Sequence, residues 1–139
     1  MLAGANVLVV EDEAIIALEL CLAIEDADGV VVGPAATTGE ALMLIANASG
    51  AGMPIAVAVL DTDLADRDVT PVVLRLHENG IPMIIRSAVG LPAAVHALHP
   101  DIPWLPKPSE SGRVVLAVAE TISLGSSHGL FKPHAMGYV

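Results

Sequence analysis

Acidic side chains stand directly after two apolar runs of the chain. Glu11 and Asp12 follow the run at 7–10, and Asp61 follows the run at 55–60, with Asp63 two residues further on. Carboxylates that meet at one edge of a sheet repel one another unless a cation joins them. Carboxylate oxygens suit Mg²⁺, which is commonly bound together with phosphate groups. These residues therefore predict a magnesium site in which one carboxylate is a candidate nucleophile.

Two more polar residues stand near the ends of later apolar runs. Ser87 comes after the run at 81–85, and Lys107 comes after the run at 102–105. A lysine ammonium can neutralise a phosphoryl group as a point charge, and a hydroxyl can donate a hydrogen bond to a phosphoryl oxygen. Together with the acids, these residues indicate Mg²⁺-assisted phosphoryl chemistry.

The elements that must position these residues alternate along the chain. The predicted strands are 7–10, 30–32, 55–60, 81–85 and 102–105, and the predicted helices are 14–27, 38–48, 70–78, 90–99 and 113–123. Continuous apolar runs rich in β-branched residues are typical of strands buried on both faces of a parallel sheet. Regular alternation predicts a doubly wound α/β fold with a five-stranded parallel sheet. In that fold, ligands bind outside the carboxyl ends of the strands.

Three helices carry more specific predictions. The first has apolar residues at three- and four-residue steps, which predict its buried stripe, with the cysteine as a small buried hydrophobe: Ile15, Leu18, Cys21, Leu22 and Ile24. Thr38 is the predicted cap of the second helix. The fourth helix is reduced, because Pro92 and Pro100 confine it to about two turns.

The composition predicts one folded domain. The chain has 139 residues, of which 54% are hydrophobic, so the bulk of it is not intrinsically disordered. Aromatic residues make up 2%, and the core must therefore be aliphatic. The predicted domain covers 1–123, and the unpatterned segment 124–139 is expected to be a flexible tail or a contact arm.

Charge and cysteine content exclude other classes of protein. Six basic and 16 acidic residues give a net charge of −10, which argues against binding to a nucleic-acid backbone. A single cysteine cannot form an intrachain disulfide, so a reducing compartment is expected. The apolar N-terminus has no basic segment before it, and no apolar run reaches the length that a membrane helix needs. A cytoplasmic protein without membrane contact is the expectation.

Four segments resemble the signature segments of bacterial response-regulator receiver domains, the CheY-like family. They are 6–13 (NVLVVEDE), 59–64 (VLDTDL), 81–88 (IPMIIRSA) and 104–108 (WLPKP), in the family's order, and the match spans 6–123. Segment 32–37 (VGPAAT) resembles a subset of receivers that stand alone without an output domain. The resemblance implies a flavodoxin-like (βα)₅ fold with strand order 2-1-3-4-5.

The resemblance also implies an acceptor and a metal site. Asp61 would accept a phosphoryl group from the phosphohistidine of a sensor histidine kinase, forming an acyl phosphate. Glu11, Asp12 and Asp61 would surround Mg²⁺, and the main-chain carbonyl of Asp63 would complete the protein ligands.

Four further roles follow from the same resemblance. Lys107 would pair with the phosphoryl group, and Ser87 would move to bond it after transfer. Trp104 takes the place of an aromatic residue that often rotates with that movement. Pro108 corresponds to a proline that is frequently cis in the family.

The chain departs from the receiver pattern at three positions. Ala65 and Val69 stand in the loop after the acceptor, where the family usually has Pro and Gly. Arg86 precedes the hydroxyl residue, where a hydrophobic residue is usual. Its side chain could reach the phosphoryl group or pair with a surface acid.

The expected function is that of a receiver in a two-component phosphorelay, and not of an enzyme that turns over a substrate. The implied partners are a sensor histidine kinase or phosphotransfer protein and a downstream protein, with the receiver a monomer or weak dimer. Two alternatives remain open. One is a pseudo-receiver that binds partners without phosphorylation. The other is a small phosphatase of the haloacid-dehalogenase type. The segment Asp61-Thr62-Asp63 resembles the nucleophile loop of these phosphatases, although Ala65 and the chain length do not fit them.

Overall fold

Five strands and five helices alternate in this computed structural model, which describes residues 1–62, 69–87, 91, 93–98, 102–107 and 110–126. The elements are β1 (Asn6–Val10), α1 (Ala14–Asp26), β2 (Val30–Ala35), α2 (Thr38–Gly50), β3 (Val57–Asp61), α3 (Thr70–Glu78), β4 (Met83–Ser87), α4 (Ala93–Leu98), β5 (Trp104–Pro106) and α5 (Ser111–Ser126). The strands form one parallel sheet in the order β2-β1-β3-β4-β5. The predicted doubly wound fold and strand order are confirmed.

The sheet is buried on both faces. Leu8 and Leu60 belong to an apolar cluster that includes residues of α2 and α3, whereas Val9 and Val59 belong to a cluster that includes residues of α1 and α5. Successive side chains of a strand point to opposite faces, so a continuous apolar run supplies both cores. This double burial fixes the central strands, and with them the residues at their carboxyl ends.

The buried face of α1 differs from the predicted stripe. Three members of that stripe are exposed: Ile15 by 75%, Leu18 by 58% and Leu22 by 51%. Ala17 and Leu20 are buried instead, and the predicted burial of Cys21 and Ile24 is confirmed. Apolar residues occupy almost every face of this helix, so their spacing alone cannot choose the one that meets β1 and α5. Burial raises the pKa of the Cys21 thiol, and the nearby Glu25 charge acts in the same direction.

The N-terminus of α2 is capped one residue earlier than predicted. The Thr37 hydroxyl accepts a hydrogen bond from the Glu40 N–H at 3.0 Å, and Glu40 Oε1 accepts one from the Ala36 N–H at 3.0 Å. This pair is a variant of the capping box, in which the glutamate accepts from the residue before the N-cap and not from the N-cap itself. Thr38 is instead the first helical residue and is fully buried.

Strand β2 continues past its predicted end. The chain passes through a cis Gly33–Pro34 bond and remains a strand to Ala35. Gly33 has a φ of 106°, and a Cβ atom there would lie 2.9 Å from the Ala35 nitrogen. Glycine is therefore required at this close approach. The Ala35 carbonyl accepts the Glu11 N–H at 2.8 Å, which holds the residue that follows β1.

The second half of the chain differs from the prediction mainly at element ends. Helix α4 has six residues, whereas the other helices have nine to 16, so the reduced fourth helix is confirmed. Strand β4 extends to Ser87 and thus includes Arg86. Helix α5 extends to Ser126, three residues beyond its predicted end, and residues 127–139 lie outside the described part of the chain. None of the described helices combines the length and apolarity of a membrane-spanning segment.

Candidate functional site

The candidate residues lie at the carboxyl edge of the sheet. Glu11 directly follows β1, Asp61 ends β3, Ser87 ends β4 and Lys107 directly follows β5. Strand β3 pairs with both β1 and β4, so the acceptor candidate Asp61 occupies the middle of the edge. A backbone hydrogen bond joins the ends of β4 and β5, since the Lys107 N–H donates to the Ser87 carbonyl at 3.0 Å.

Three carboxylates converge at this edge. Glu11, Asp12 and Asp61 each offer an oxygen, and these oxygens lie within 4.8 Å of one another. Glu11 and Asp61 are each 2% exposed, whereas Asp12 is exposed. An all-oxygen donor set of this kind, open to water on one side, fits Mg²⁺. The residues present are thus able to hold the ion that the sequence predicts.

Lys107 contacts the central carboxylate directly. Its Nζ donates to Asp61 Oδ1, and its side chain is 24% exposed. The partly exposed ammonium therefore lies between the buried Asp61 carboxylate and solvent. A phosphoryl group attached to Asp61 would form next to this cation.

Arg86 provides a second cation in the site. It is 4% exposed, and its Nη1 donates to Glu11 Oε1 at 2.9 Å. Of the two predicted fates for this arginine, pairing with an acid is the one observed, but the acid is buried and not on the surface. The sequence signal was an arginine inside an apolar strand, because a buried charge requires a counter-ion. The sequence alone could not identify Glu11 as the partner, because the choice depends on the strand register. In that register Arg86 of β4 stands beside Asp61 of β3, and Glu11 is close to Asp61.

Both oxygens of Glu11 are engaged by the protein. Oε1 accepts from Arg86, and Oε2 accepts from the Glu13 N–H at 3.2 Å. Burial raises the pKa of the Glu11 carboxyl from 4.5 to about 7, and the negative charge of Asp61 acts in the same direction. The Glu13 N–H and the Lys107 ammonium oppose that rise in pKa. Glu11 therefore exchanges its proton near neutral pH, unlike an ordinary surface carboxylate.

Comparison with known proteins gives structural relatives only. No protein-family model matches the chain, and no curated protein matches it. A CheY-like response regulator receiver domain from Methanospirillum hungatei aligns with a TM-score of 0.77 at 20% identity, over 91% of this chain and 99% of the other. The Francisella response regulator 1452 receiver domain aligns with a TM-score of 0.72 at 23% identity, over 88% and 99%. A response regulator receiver protein from Sinorhizobium medicae aligns with a TM-score of 0.66 at 25% identity, over 88% and 98%.

The chain has the fold of response-regulator receiver domains. Several of the residues that the sequence predicts for a receiver site come together at one edge: Glu11, Asp12, Asp61, Ser87 and Lys107. Trp104 lies in β5 opposite Ile85 and is half-buried against the core of the α3 side. Asp63, Ala65 and Pro108 lie outside the described residues. Val69 is fully buried in the core before α3.

Proposed function

We propose that this receiver-fold protein accepts a phosphoryl group on Asp61. The donor is the phosphohistidine of a sensor histidine kinase or of a phosphotransfer protein. One observation carries the proposal: the Asp61 carboxylate contacts the Lys107 ammonium and lies within 4.8 Å of oxygens from two further acids. The ammonium can neutralise the incoming group, and the acids can hold the cation that phosphoryl transfer requires.

The transfer exchanges one bond to phosphorus for another. An oxygen of the Asp61 carboxylate forms a bond to phosphorus while the bond from the histidine nitrogen to phosphorus breaks. The imidazole keeps the electron pair of the broken bond and takes a proton from water. Asp61 becomes an acyl phosphate, and Lys107 pairs with its phosphoryl oxygens.

Glu11, Asp12 and Asp61 are the residues that would hold Mg²⁺, with the Asp63 carbonyl as the further predicted ligand. The bound ion supplies neutralisation of the negative charge on the phosphoryl oxygens. Carboxylate oxygens alone would repel a phosphoryl donor, so the proposal includes a requirement for the divalent cation.

The proposed output is a change in protein contacts. Ser87 moves to bond the phosphoryl group after transfer, and Trp104 rotates with that movement. The downstream partner is a protein, since a net charge of −10 disfavours direct contact with nucleic acid. The proposal includes a cytoplasmic monomer or weak dimer that acts as an acceptor and not as an enzyme with steady turnover.

Intact mass spectrometry tests this function. The protein is incubated with acetyl phosphate in the presence and absence of Mg²⁺, and so are the variants Asp61→Asn and Asp26→Asn. Asp26 ends α1 and is exposed, so its variant makes the same chemical change away from the site. We expect one phosphoryl adduct in the wild type and in Asp26→Asn, dependent on Mg²⁺ and absent from Asp61→Asn.

Three other results would contradict the proposal. An adduct that persists in Asp61→Asn would place the acceptor elsewhere. No adduct from acetyl phosphate or from a histidine kinase would favour the phosphorylation-independent binding module. Continuous release of phosphate from a small phosphoester, without a lasting adduct, would instead favour the phosphatase alternative.

A further inference from the structure

Arg86 places a permanent positive charge beside the acid cluster. Its side chain is 4% exposed and cannot be deprotonated in a protein, so the charge can be neither solvated nor removed by pH. The backbone also holds Arg86 in the sheet, where it pairs with Asp61 of β3 on one side and with Leu105 of β5 on the other. The cation is thus a fixed component of the site.

The guanidinium and a divalent cation need the same carboxylate. Arg86 Nη1 lies 2.9 Å from Glu11 Oε1, and the Glu13 N–H occupies Oε2 of that carboxylate. An ion that binds Glu11 must therefore share an oxygen with a donor that is already present. It must also lie near a like charge, in a part of the protein that water screens poorly.

The charge balance leads to the same conclusion. Among the described residues of the site, three carboxylates stand with two cations, Lys107 and Arg86. Arg86 thus performs part of the neutralisation that a metal ion would otherwise perform. The acids can remain close together without an ion, which weakens the electrostatic demand for one.

We propose that Arg86 sets the divalent-cation affinity of this site by occupying Glu11 and repelling the ion. The inference rests on the proposed function, because it concerns the metal site next to the acceptor Asp61. Arg86 is a positioning residue, since it pairs with Glu11 and acts through that carboxylate and through its own charge. Replacing it with a neutral residue should therefore tighten Mg²⁺ binding.

Calorimetric titration with Mg²⁺, without any phosphoryl donor, tests the inference at about pH 8, where carboxylates are ionised. Arg86→Gln removes the charge but keeps a group able to donate to Glu11, and Arg86→Lys keeps the charge. Arg75→Gln is the matched control, because Arg75 pairs with Glu78 on the exposed surface of α3. We expect Arg86→Gln to bind Mg²⁺ at least ~10-fold more tightly, which is about 1.4 kcal/mol. Arg86→Lys should stay within about threefold of the wild type, and Arg75→Gln should not change.

Three results would overturn the inference. They are an unchanged or weaker affinity in Arg86→Gln, an equal tightening in Arg86→Lys, and no Mg²⁺ binding by Arg86→Gln at tens of millimolar. Circular dichroism checks that each variant folds. If Arg86→Gln does not fold, the double variant Glu11→Gln/Arg86→Gln leaves no unpaired buried charge in the pair. A Mg²⁺ affinity of this double variant within about threefold of the wild-type value then supports the inference, and a Mg²⁺ affinity ~10-fold or more weaker contradicts it.

The outcome is separable from that of the proposed function. The same variants are incubated with acetyl phosphate, and their intact mass is measured. Tighter Mg²⁺ binding without any Asp61 adduct would uphold the role of Arg86 and contradict the acceptor function. An Asp61 adduct with unchanged Mg²⁺ affinity would do the reverse.

Discussion

Replacing Lys107 with methionine tests how the central carboxylate is held. The variant keeps most of the side-chain bulk but removes the ammonium that contacts Asp61 Oδ1. Asp61 is 2% exposed, and it would then face Glu11 and Asp12 without this cation. We expect the folded state to lose stability in the absence of Mg²⁺ and to regain at least that much when the ion saturates the site.

The size of the loss follows from burial. Removing one partner of a fully buried ion pair costs about 3–5 kcal/mol, because the other charge stays buried and uncompensated. Lys107 is 24% exposed, so water screens the pair, and we expect a loss of about 1–2 kcal/mol. Mg²⁺ should bind the variant more tightly than the wild type, since a like charge has been removed. An ion at 100 times its dissociation constant stabilises a folded protein by about 2.7 kcal/mol, which exceeds the loss.

Urea unfolding with and without Mg²⁺ measures both effects. Arg75→Met is the control, because it breaks an exposed pair with Glu78 that should contribute about 0–1 kcal/mol. The reasoning fails if Lys107→Met loses no more stability than Arg75→Met. It also fails if Mg²⁺ stabilises the wild type and Lys107→Met by the same amount.

Three further predictions concern pH, helix capping and signalling. Burial raises the pKa of Glu11 from 4.5 to about 7, so the folded protein retains a proton that the unfolded chain releases in this range. As pH rises from 4.5 to about 7, the unfolding free energy of the wild type should therefore fall relative to that of Glu11→Gln, by at most ~3 kcal/mol. Urea unfolding of both proteins below and above this pH range measures the difference, and a difference that does not change with pH would contradict the prediction. Thr37→Ala should cost about 1 kcal/mol and Thr37→Ser much less, because serine keeps the capping oxygen; equal urea midpoints for the two would contradict the cap. Ser87→Ala should still take up a phosphoryl group but should lose the change in Trp104 fluorescence that follows phosphorylation. An unaltered fluorescence change in this variant would show that Ser87 does not drive the rotation of Trp104.

The central strands were predictable, because continuous apolar runs of this length are typical of strands that are buried on both faces of a parallel sheet. Val7–Val10 and Val57–Leu60 are buried on both faces, as expected for central strands of a parallel sheet. Glu11 and Asp61 come directly after these runs, so their convergence also followed from the sequence once the sheet was parallel.

Features that depend on neighbouring elements were not predictable. The exposed side of α1 carries the apolar residues Ile15, Leu18 and Leu22 beside its acidic residues, so the apolar periodicity alone could not identify the buried face. The capping residue Thr37 adjoins another threonine, and only the hydrogen bond to Glu40 distinguishes the two. The pair between Arg86 and Glu11 joins residues 75 positions apart, and only the three-dimensional structure brings them together.

The central claim is that Asp61 carries the phosphoryl group, and chemical trapping tests it most directly. Borohydride reduces an acyl phosphate on an aspartate side chain to the alcohol of homoserine, and it leaves a free carboxylate unchanged. The protein is phosphorylated with acetyl phosphate and Mg²⁺, reduced, digested, and mapped by tandem mass spectrometry. Homoserine at position 61, dependent on Mg²⁺ and on the donor, is the predicted result. Homoserine at another acid of the cluster, with position 61 unchanged, would contradict the account.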